Sequence, residues 1–276
     1  MNHHRGWRKM SEYVHGYSAR EAERLKDQAQ TLVELLHRDS SFPPGSLVLE
    51  AGCGVGAQTV TLAAQSLETK FISMDISLES VQEARRQVQS IGSKNAVFLN
   101  GDIFNLPFHE ASFDHLFLCF VLEHLKEPVK ALLSLKKLLK PGGTITVIEG
   151  DHGSVYFYPD SPYAQKAIDC QVQLQAQAGG DSKIGRRLYP LLAEAGFDRI
   201  SVSPRMVYVD SSRPQWVDGF TKKTFTAMVE GVRKDALLAG LITEADFDRG
   251  IRDLYRTAET DGTFCYCFFK AFGTRF

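Results

Sequence analysis

Cysteine is scarce and unpatterned in this chain. The five thiols, Cys53, Cys119, Cys170, Cys265 and Cys267, are odd in number and widely spread. A disulfide framework needs more cysteines at closer spacing, and Cys265-Tyr266-Cys267 is too tight for a metal knuckle or a CxxC redox pair. No metal site is expected, and His3-His4 reads as a solvated chain end. Neither sign of charge is in excess: 32 Lys and Arg face 33 Asp and Glu, for a net charge of -1. Nucleic-acid binding rests on a basic face, so no nucleic-acid partner is expected. Every apolar run falls far short of the roughly 18 residues that span a bilayer, so no membrane partner is expected either. The first residues, Met1-Asn2-His3-His4-Arg5-Gly6, lack the apolar core of a signal peptide. Internal repeats and low-complexity tracts are absent. These absences predict a reduced, cytoplasmic chain, a monomer or homodimer, that works on small molecules.

What is present centres on Leu47-Val48-Leu49-Glu50-Ala51-Gly52-Cys53-Gly54-Val55-Gly56. The short apolar run reads as a buried parallel strand ending in a carboxylate. Three glycines at alternate positions then read as a turn whose backbone approaches a ligand, where a Cβ would collide. Ala57 to Ala64 reads as a helix opening directly after the turn. Strand, glycine turn and helix N-terminus together make a small-molecule site at the carboxyl end of a sheet.

Around this motif strands and helices alternate. Ser18-Ala19-Arg20-Glu21 is a capping box before a helix whose apolar face carries Leu25, Leu32 and Leu36. Strands are expected at 70–75, 96–99, 113–119 and 144–149, with helices at 78–91 and 129–139 between them. Such alternation predicts an α/β fold with a parallel sheet covered on both faces. Beyond residue 150 the pattern predicts helices at 161–178 and 186–195 and a strand at 200–209. A helical stretch over 215–259, interrupted near Gly240 and Gly250, precedes a β-prone end over 263–272.

Glycine turns of this kind serve dinucleotides or S-adenosylmethionine. The spacing Gly52-x-Gly54-x-Gly56 departs from the GxGxxG of dehydrogenases. Glu50 would sit beside a pyrophosphate, where negative charge is unfavourable; a ligand bearing an ammonium or sulfonium favours it. Asp75, about 20 residues past the glycines, is placed to accept both hydroxyls of a ribose. Asp102, after Gly101 at the end of the third strand, can accept from an exocyclic amine such as that of adenine. Cys119 to Leu125, at the end of the fourth strand, would border the ligand, with Glu123-His124 read as a charged pair or a helix start.

In this order the four pieces resemble the class I S-adenosylmethionine-dependent methyltransferases, and most closely the small-molecule group that includes the ubiquinone and menaquinone biosynthesis enzymes. Pro141-Gly142-Gly143 matches the family's turn before the fifth strand. The resemblance implies a Rossmann-like, doubly wound sheet of seven strands, mostly parallel with an antiparallel last strand. It divides the chain into an N-terminal arm and helix (1–42), a cofactor-binding core (43–210), a helical insertion or lid (211–262) and a terminal strand (263–276). S-adenosylmethionine is the implied cofactor. Glu50, Gly52, Cys53, Gly54, Gly56, Asp75, Ile76, Gly101, Asp102, Ile103 and Cys119 would contact it, with Tyr17 and Arg24 of the arm near its methionine end.

The acceptor, a small or medium-sized molecule, is expected beyond the cofactor, near Tyr13, Glu123, Tyr156, Tyr158 and Trp216. His152 is the candidate general base, with Asp151 as its partner or as a direct acceptor. A surface loop histidine is the plain alternative. Two rival functions stand beside this one. One is an NAD-dependent oxidoreductase on a Rossmann fold; the other is a cofactor-binding protein without transfer activity.

Overall fold

The computed structural model describes Gln28 and residues 31–276. The capping box at 18–21 and Tyr13, Tyr17 and Arg24 lie outside the described residues. The helix predicted behind that box is present over 31–37 (α1), with Leu32 and Leu36 buried. The chain continues through β1 (Leu47–Ala51), α2 (Ala57–Gln65), β2 (Lys70–Asp75), α3 (Leu78–Ser90), β3 (Ala96–Asn100) and β4 (Phe113–Cys119). Next come α4 (Pro128–Leu138), β5 (Leu139–Tyr158), α5 (Pro162–Gln177), α6 (Leu188–Glu194) and β6 (Asp198–Val209). A helical stretch then holds α7 (Pro214–Trp216), π-helical turns over Val217–Thr226, α8 (Ala227–Gly231), α9 (Arg233–Leu238) and α10 (Glu244–Arg256). The last element, β7, runs Thr263–Thr274.

All seven strands form one sheet in the order β3-β2-β1-β4-β5-β7-β6. Strands β1 to β5 pair in parallel, and β7 is antiparallel to both β5 and β6. This is the predicted Rossmann-like sheet with its antiparallel last strand. Parallel pairing needs helical crossovers that cover the sheet, so its strands are apolar on both faces. Side chains along each strand alternate between two cores. Val48, Phe117 and Ile148 face one core with Leu32, Leu36 and residues of α5 and the 214–256 helices. Leu49, Leu116, Leu118 and Val147 face the other with α4 and α6. The point where chain order reverses lies between β1 and β4, and the glycine turn sits there, at the carboxyl edge of the sheet.

Four features differ from the sequence expectation. The fifth strand, expected from Thr144, begins at Leu139, because Leu139 pairs with Phe113 of β4, and Pro141-Gly142-Gly143 forms an irregularity within it. β5 continues past Glu149 to Tyr158, because β7 pairs with it as far as Tyr158↔Thr263, across an irregularity between Asp151 and Tyr156. Gly250 does not interrupt a helix. It lies within α10, where a Cβ would strike the backbone carbonyl of Tyr163 on α5, so it permits a close helix approach. The helix expected over 186–195 divides into a 3-10 turn, Ile184–Arg187, and α6.

One buried cation ties the first helix to the sheet. Lys270 of β7, only 8% exposed, donates to the Leu36 carbonyl (3.0 Å), Asp39 Oδ1 (2.6 Å) and Ser40 Oγ (2.8 Å). Burial pulls the Lys270 ammonium below its usual range, against the support of Asp39. Beside it, His37 is held neutral by burial, near a pKa of about 4, and its Nε2 lies 2.6 Å from Gln58 Oε1 on α2. Replacing Lys270 with Met should cost about 1.5–3 kcal/mol, because charge-assisted bonds are lost and a buried carbonyl is left without its donor. Urea denaturation of the variant measures this.

Candidate active site

The three glycines of the turn all take positive φ: 84° at Gly52, 51° at Gly54 and 81° at Gly56. Each meets a different neighbour. A Cβ on Gly56 would lie 2.7 Å from Cα of Ala84, in the backbone of α3. One on Gly52 would strike the Val121 side chain, in the loop after β4. One on Gly54 meets nothing within 4 Å and would face open space. The N–H groups of Gly52 and Cys53 donate to the Met74 carbonyl at 2.8 and 2.9 Å, which seats the turn against β2. Gly56 caps α2 without a side-chain hydrogen bond, leaving first-turn N–H groups available.

Two carboxyls flank the turn. Asp75 Oδ2 accepts from Gly54 N–H at 2.8 Å, and Oδ1 accepts from Ser77 N–H at 2.9 Å. Burial raises its pKa, opposed by these donors. Each carboxylate oxygen still has a second lone pair for a ligand hydroxyl. Glu50 is 2% exposed, and its Oε2 accepts from Thr59 Oγ1 (2.7 Å) on α2 and Ser73 Oγ (2.6 Å) on β2. Desolvation lifts it to a pKa of about 7, against those two donors. The Gly101 N–H donates to the Asp75 carbonyl at 3.0 Å, which brings the end of β3 beside the end of β2. Asp102 closes a turn there, accepting from Phe104 N–H at 2.9 Å. Next to these carboxyls, Ile76 is exposed, and Ile103 packs against the second core. The cysteines of this region are buried thiols: burial pushes both Cys53 and Cys119 well up.

The end of β4 carries two features that the sequence pattern did not reveal. Phe120 has φ 58°, a left-handed conformation that is rare and strained for a bulky residue. Glu149, fully buried at the end of the predicted fifth strand, anchors the loop beyond Phe120. Its Oε1 accepts from Val121 N–H (2.9 Å) and Leu122 N–H (2.7 Å), while Oε2 has no partner. Burial and then the nearby Glu123 push Glu149 well above the usual carboxylate range. The loop is thus fixed against the glycine turn through Val121. A buried Glu in an apolar strand was the one available signal. The backbone φ of Phe120 had none.

His124 Nε2 lies 3.6 Å from Glu123 Oε1, and both residues belong to a 3-10 turn, Leu122–His124. The expected partnership of Asp151 with His152 does not form. Arg186 takes Asp151 in a bidentate grip, Nε to Oδ2 at 2.6 Å and Nη2 to Oδ1 at 2.9 Å. Neighbouring residues of a strand point to opposite faces, which separates the two side chains. His152 is buried within β5 rather than placed on a surface loop. Its Nδ1 lies 2.9 Å from the Tyr266 hydroxyl, and its Nε2 lies 3.4 Å from Met228 Sδ on α8. Tyr266 also accounts for Gly150, where a Cβ would meet its hydroxyl. From Tyr266 an aromatic series leads back through Phe268 (4.7 Å) to Phe120 (5.5 Å from Phe268).

Tyr156 and Tyr158 are 71% and 57% exposed near the end of β5. Tyr156 lines a hollow of about 450 Å³ with Asp160, Ser161 and Gln165, to which neither Tyr158 nor Trp216 contributes. Trp216 is half-buried against the first core, with Arg213 above its ring. Among the described residues there is no cluster of metal-ligating side chains, and no helix is long and apolar enough to cross a membrane.

Comparison with known proteins agrees with this geometry. Residues 49–147 match the family model of a methyltransferase domain. An uncharacterized 37.1 kDa protein in transposon Tn4556 of Streptomyces fradiae is 32% identical over 195 residues, which cover 68% of this chain and 54% of that protein. The demethylmenaquinone methyltransferase of Renibacterium salmoninarum is 33% identical over 109 residues, covering 40% of this chain and 43% of the enzyme. The chain therefore spans about half the length of these curated relatives. Among solved structures, a phosphoethanolamine N-methyltransferase 2 of Haemonchus contortus shares the fold. It superposes with a TM-score of 0.54 at 15% identity, over 90% of this chain and 53% of that one.

Proposed function

Residues 49–147 form a class I methyltransferase domain, similar to those of the menaquinone methyltransferases, and on that premise we propose that the chain transfers the methyl group of S-adenosylmethionine to a small or medium-sized acceptor. The observation that carries this reading is the cradle itself. Gly54 faces open space, the first turn of α2 is uncapped, and the carboxyls of Glu50 and Asp75 stand on either side. Gly52, Gly54 and Gly56 would let the cofactor approach the backbone. Asp75 and Ile76 would hold its ribose, and Gly101, Asp102 and Ile103 its adenine. Cys53 and Cys119 line the same carboxyl edge of the sheet. When bound, the cofactor supplies an electrophilic methyl on a sulfonium whose leaving group departs neutral. What the chain contributes is alignment and exclusion of water. The five unpaired thiols suit a reducing compartment such as the cytoplasm.

His152 is the group proposed to take a proton when the acceptor nucleophile carries one. Its role depends on the tautomer. The tautomer with Nδ1–H donating to Tyr266 is the one whose Nε2 can take a proton, whereas the tautomer with Nε2–H donates toward Met228 Sδ instead. Asp151, gripped by Arg186, would hold the end of β5 in place. On this reading His152→Ala lowers kcat by about a hundredfold and leaves cofactor affinity unchanged. An unchanged kcat would make His152 a packing residue.

Glu50 gives the cofactor a pH signature. An acid whose folded pKa lies above its unfolded value weakens the fold as pH rises through that interval, here from about 4.5 to about 7, because ionisation in the buried site is disfavoured. A bound cation reverses the balance by favouring ionised Glu50. Cofactor affinity should therefore rise with pH by up to about tenfold per unit below pH 7 and level off above it. Titrations across this range measure the slope, and Glu50→Gln should flatten it.

Turnover is tested by incubating the protein and S-adenosylmethionine with a metabolite extract. Release of S-adenosylhomocysteine that depends on the extract supports transfer. Its absence, with the cofactor bound, favours a binding protein without transfer activity.

A further inference from the structure

Among the described residues, Ala111, Phe120 and Arg199 take positive φ without being glycine. Ala111 precedes β4 and Arg199 lies in β6. Phe120 follows β4 directly, at the carboxyl edge of the sheet where the cradle sits. A bulky residue keeps a left-handed conformation only where its surroundings impose it.

Here β5 imposes it from both sides of the residue. The Phe120 N–H donates to the Ile148 carbonyl at 2.9 Å. The next two N–H groups, of Val121 and Leu122, both donate to Glu149 Oε1, at 2.9 and 2.7 Å. Ile148 and Glu149 are fully buried. Three successive N–H groups are thus anchored, and one carboxyl oxygen takes two of them.

The consequence reaches the cradle through Val121. Phe120 packs toward the first core, with its ring 5.5 Å from that of Phe268. Val121 packs toward the second core and stands over Gly52, where an added Cβ would lie 2.5 Å from Val121 Cγ2. Gly52 in turn seats the turn on β2 by donating to the Met74 carbonyl. A return of Phe120 to negative φ would redirect the chain that follows and draw Val121 away from Gly52.

We propose that Glu149 is a positioning residue for the cofactor. By taking the N–H groups of Val121 and Leu122, it holds Phe120 left-handed and Val121 against Gly52, the arrangement in which the cradle binds S-adenosylmethionine. It acts through the loop and not by contact with the cofactor. The proposal rests on the reading of the cradle as a site for S-adenosylmethionine.

Calorimetric titration with S-adenosylhomocysteine tests it, with circular dichroism to show that each variant is folded. Glu149→Gln keeps an oxygen for both N–H groups and should bind within about threefold of wild type. Glu149→Leu has no acceptor, and Glu149→Asp is one methylene short. Each should bind about tenfold or more weaker than wild type. Position 120 then separates positioning from plain stability. Glycine takes a φ of 58° without steric cost, whereas alanine does not, and both lack the ring. In the Glu149→Leu or Glu149→Asp background, Phe120→Gly should therefore bind about threefold or more tighter than Phe120→Ala. A purely structural Glu149 would leave the two alike. Equal affinities for that pair, wild-type affinity in Glu149→Leu, Glu149→Gln as weak as Glu149→Leu, or loss of folding in both the leucine and aspartate variants overturns the proposal. Failure of the wild-type protein to bind S-adenosylhomocysteine overturns the reading of the cradle instead, so the two failures are distinct.

Discussion

Alanine at Gly56 should destabilise the protein by about 2–5 kcal/mol. Two costs combine. A residue with a Cβ pays about 1–2 kcal/mol to hold the left-handed φ of 81° seen there. Its Cβ would also sit 2.7 Å from Cα and 2.8 Å from Cβ of Ala84, and overpacking of this kind adds about 1–3 kcal/mol. The obstacle is the backbone of α3, which cannot rotate aside as a long side chain can. Gly54 provides the contrast. There φ is 51° and a Cβ meets nothing within 4 Å, so Gly54→Ala should cost only about 1–2 kcal/mol of stability. Its new methyl would instead fill the opening toward the cofactor and weaken binding. Urea denaturation beside cofactor titration separates the two. Equal stability losses would mean that Gly56 is not wedged against α3.

Asp75→Ala should weaken S-adenosylmethionine binding by about 1.5–3 kcal/mol, or roughly 10- to 150-fold. The residue is proposed to act in two ways at once. It would accept the ribose hydroxyls, and it fixes the cradle by receiving the N–H groups of Gly54 and Ser77. Alanine removes both. Asparagine keeps one acceptor oxygen and loses the charge, so Asp75→Asn should fall between wild type and alanine. Calorimetric titration gives the three affinities. Equal affinity in all three would remove Asp75 from the cofactor site.

Most of the sheet could be read from the sequence because its strands follow local rules. Leu47–Ala51, Lys70–Asp75 and Phe113–Cys119 are short apolar runs bounded by turn residues, and their limits agree with the structure. The antiparallel end strand was signalled by Thr263 to Phe272, whose aromatic and sulfur-bearing residues suit a doubly covered strand. The cradle was legible for a related reason. Glycines at alternate positions after a strand have few roles, and Glu50 disfavoured a pyrophosphate.

The side-chain partnerships were not legible, because they join residues far apart in sequence. Asp151 finds Arg186 across 35 residues, and His152 finds Tyr266 across 114. Gly250 resembles a helix breaker until α5 is seen packed on it. The π-helical turns over Val217–Thr226 follow from hydrogen-bond register, which apolar periodicity does not encode. The extension of β5 depended on β7 as a pairing partner, while Gly150-Asp151-His152-Gly153 by itself has the composition of a loop.

The central claim is that this cradle takes S-adenosylmethionine and not a dinucleotide. Isothermal titration of the purified protein with S-adenosylmethionine and with NAD tests it most directly. Saturable binding of the methyl donor at a single site, with no heat of binding from NAD, is the predicted result. Tight NAD binding with none for S-adenosylmethionine would contradict it.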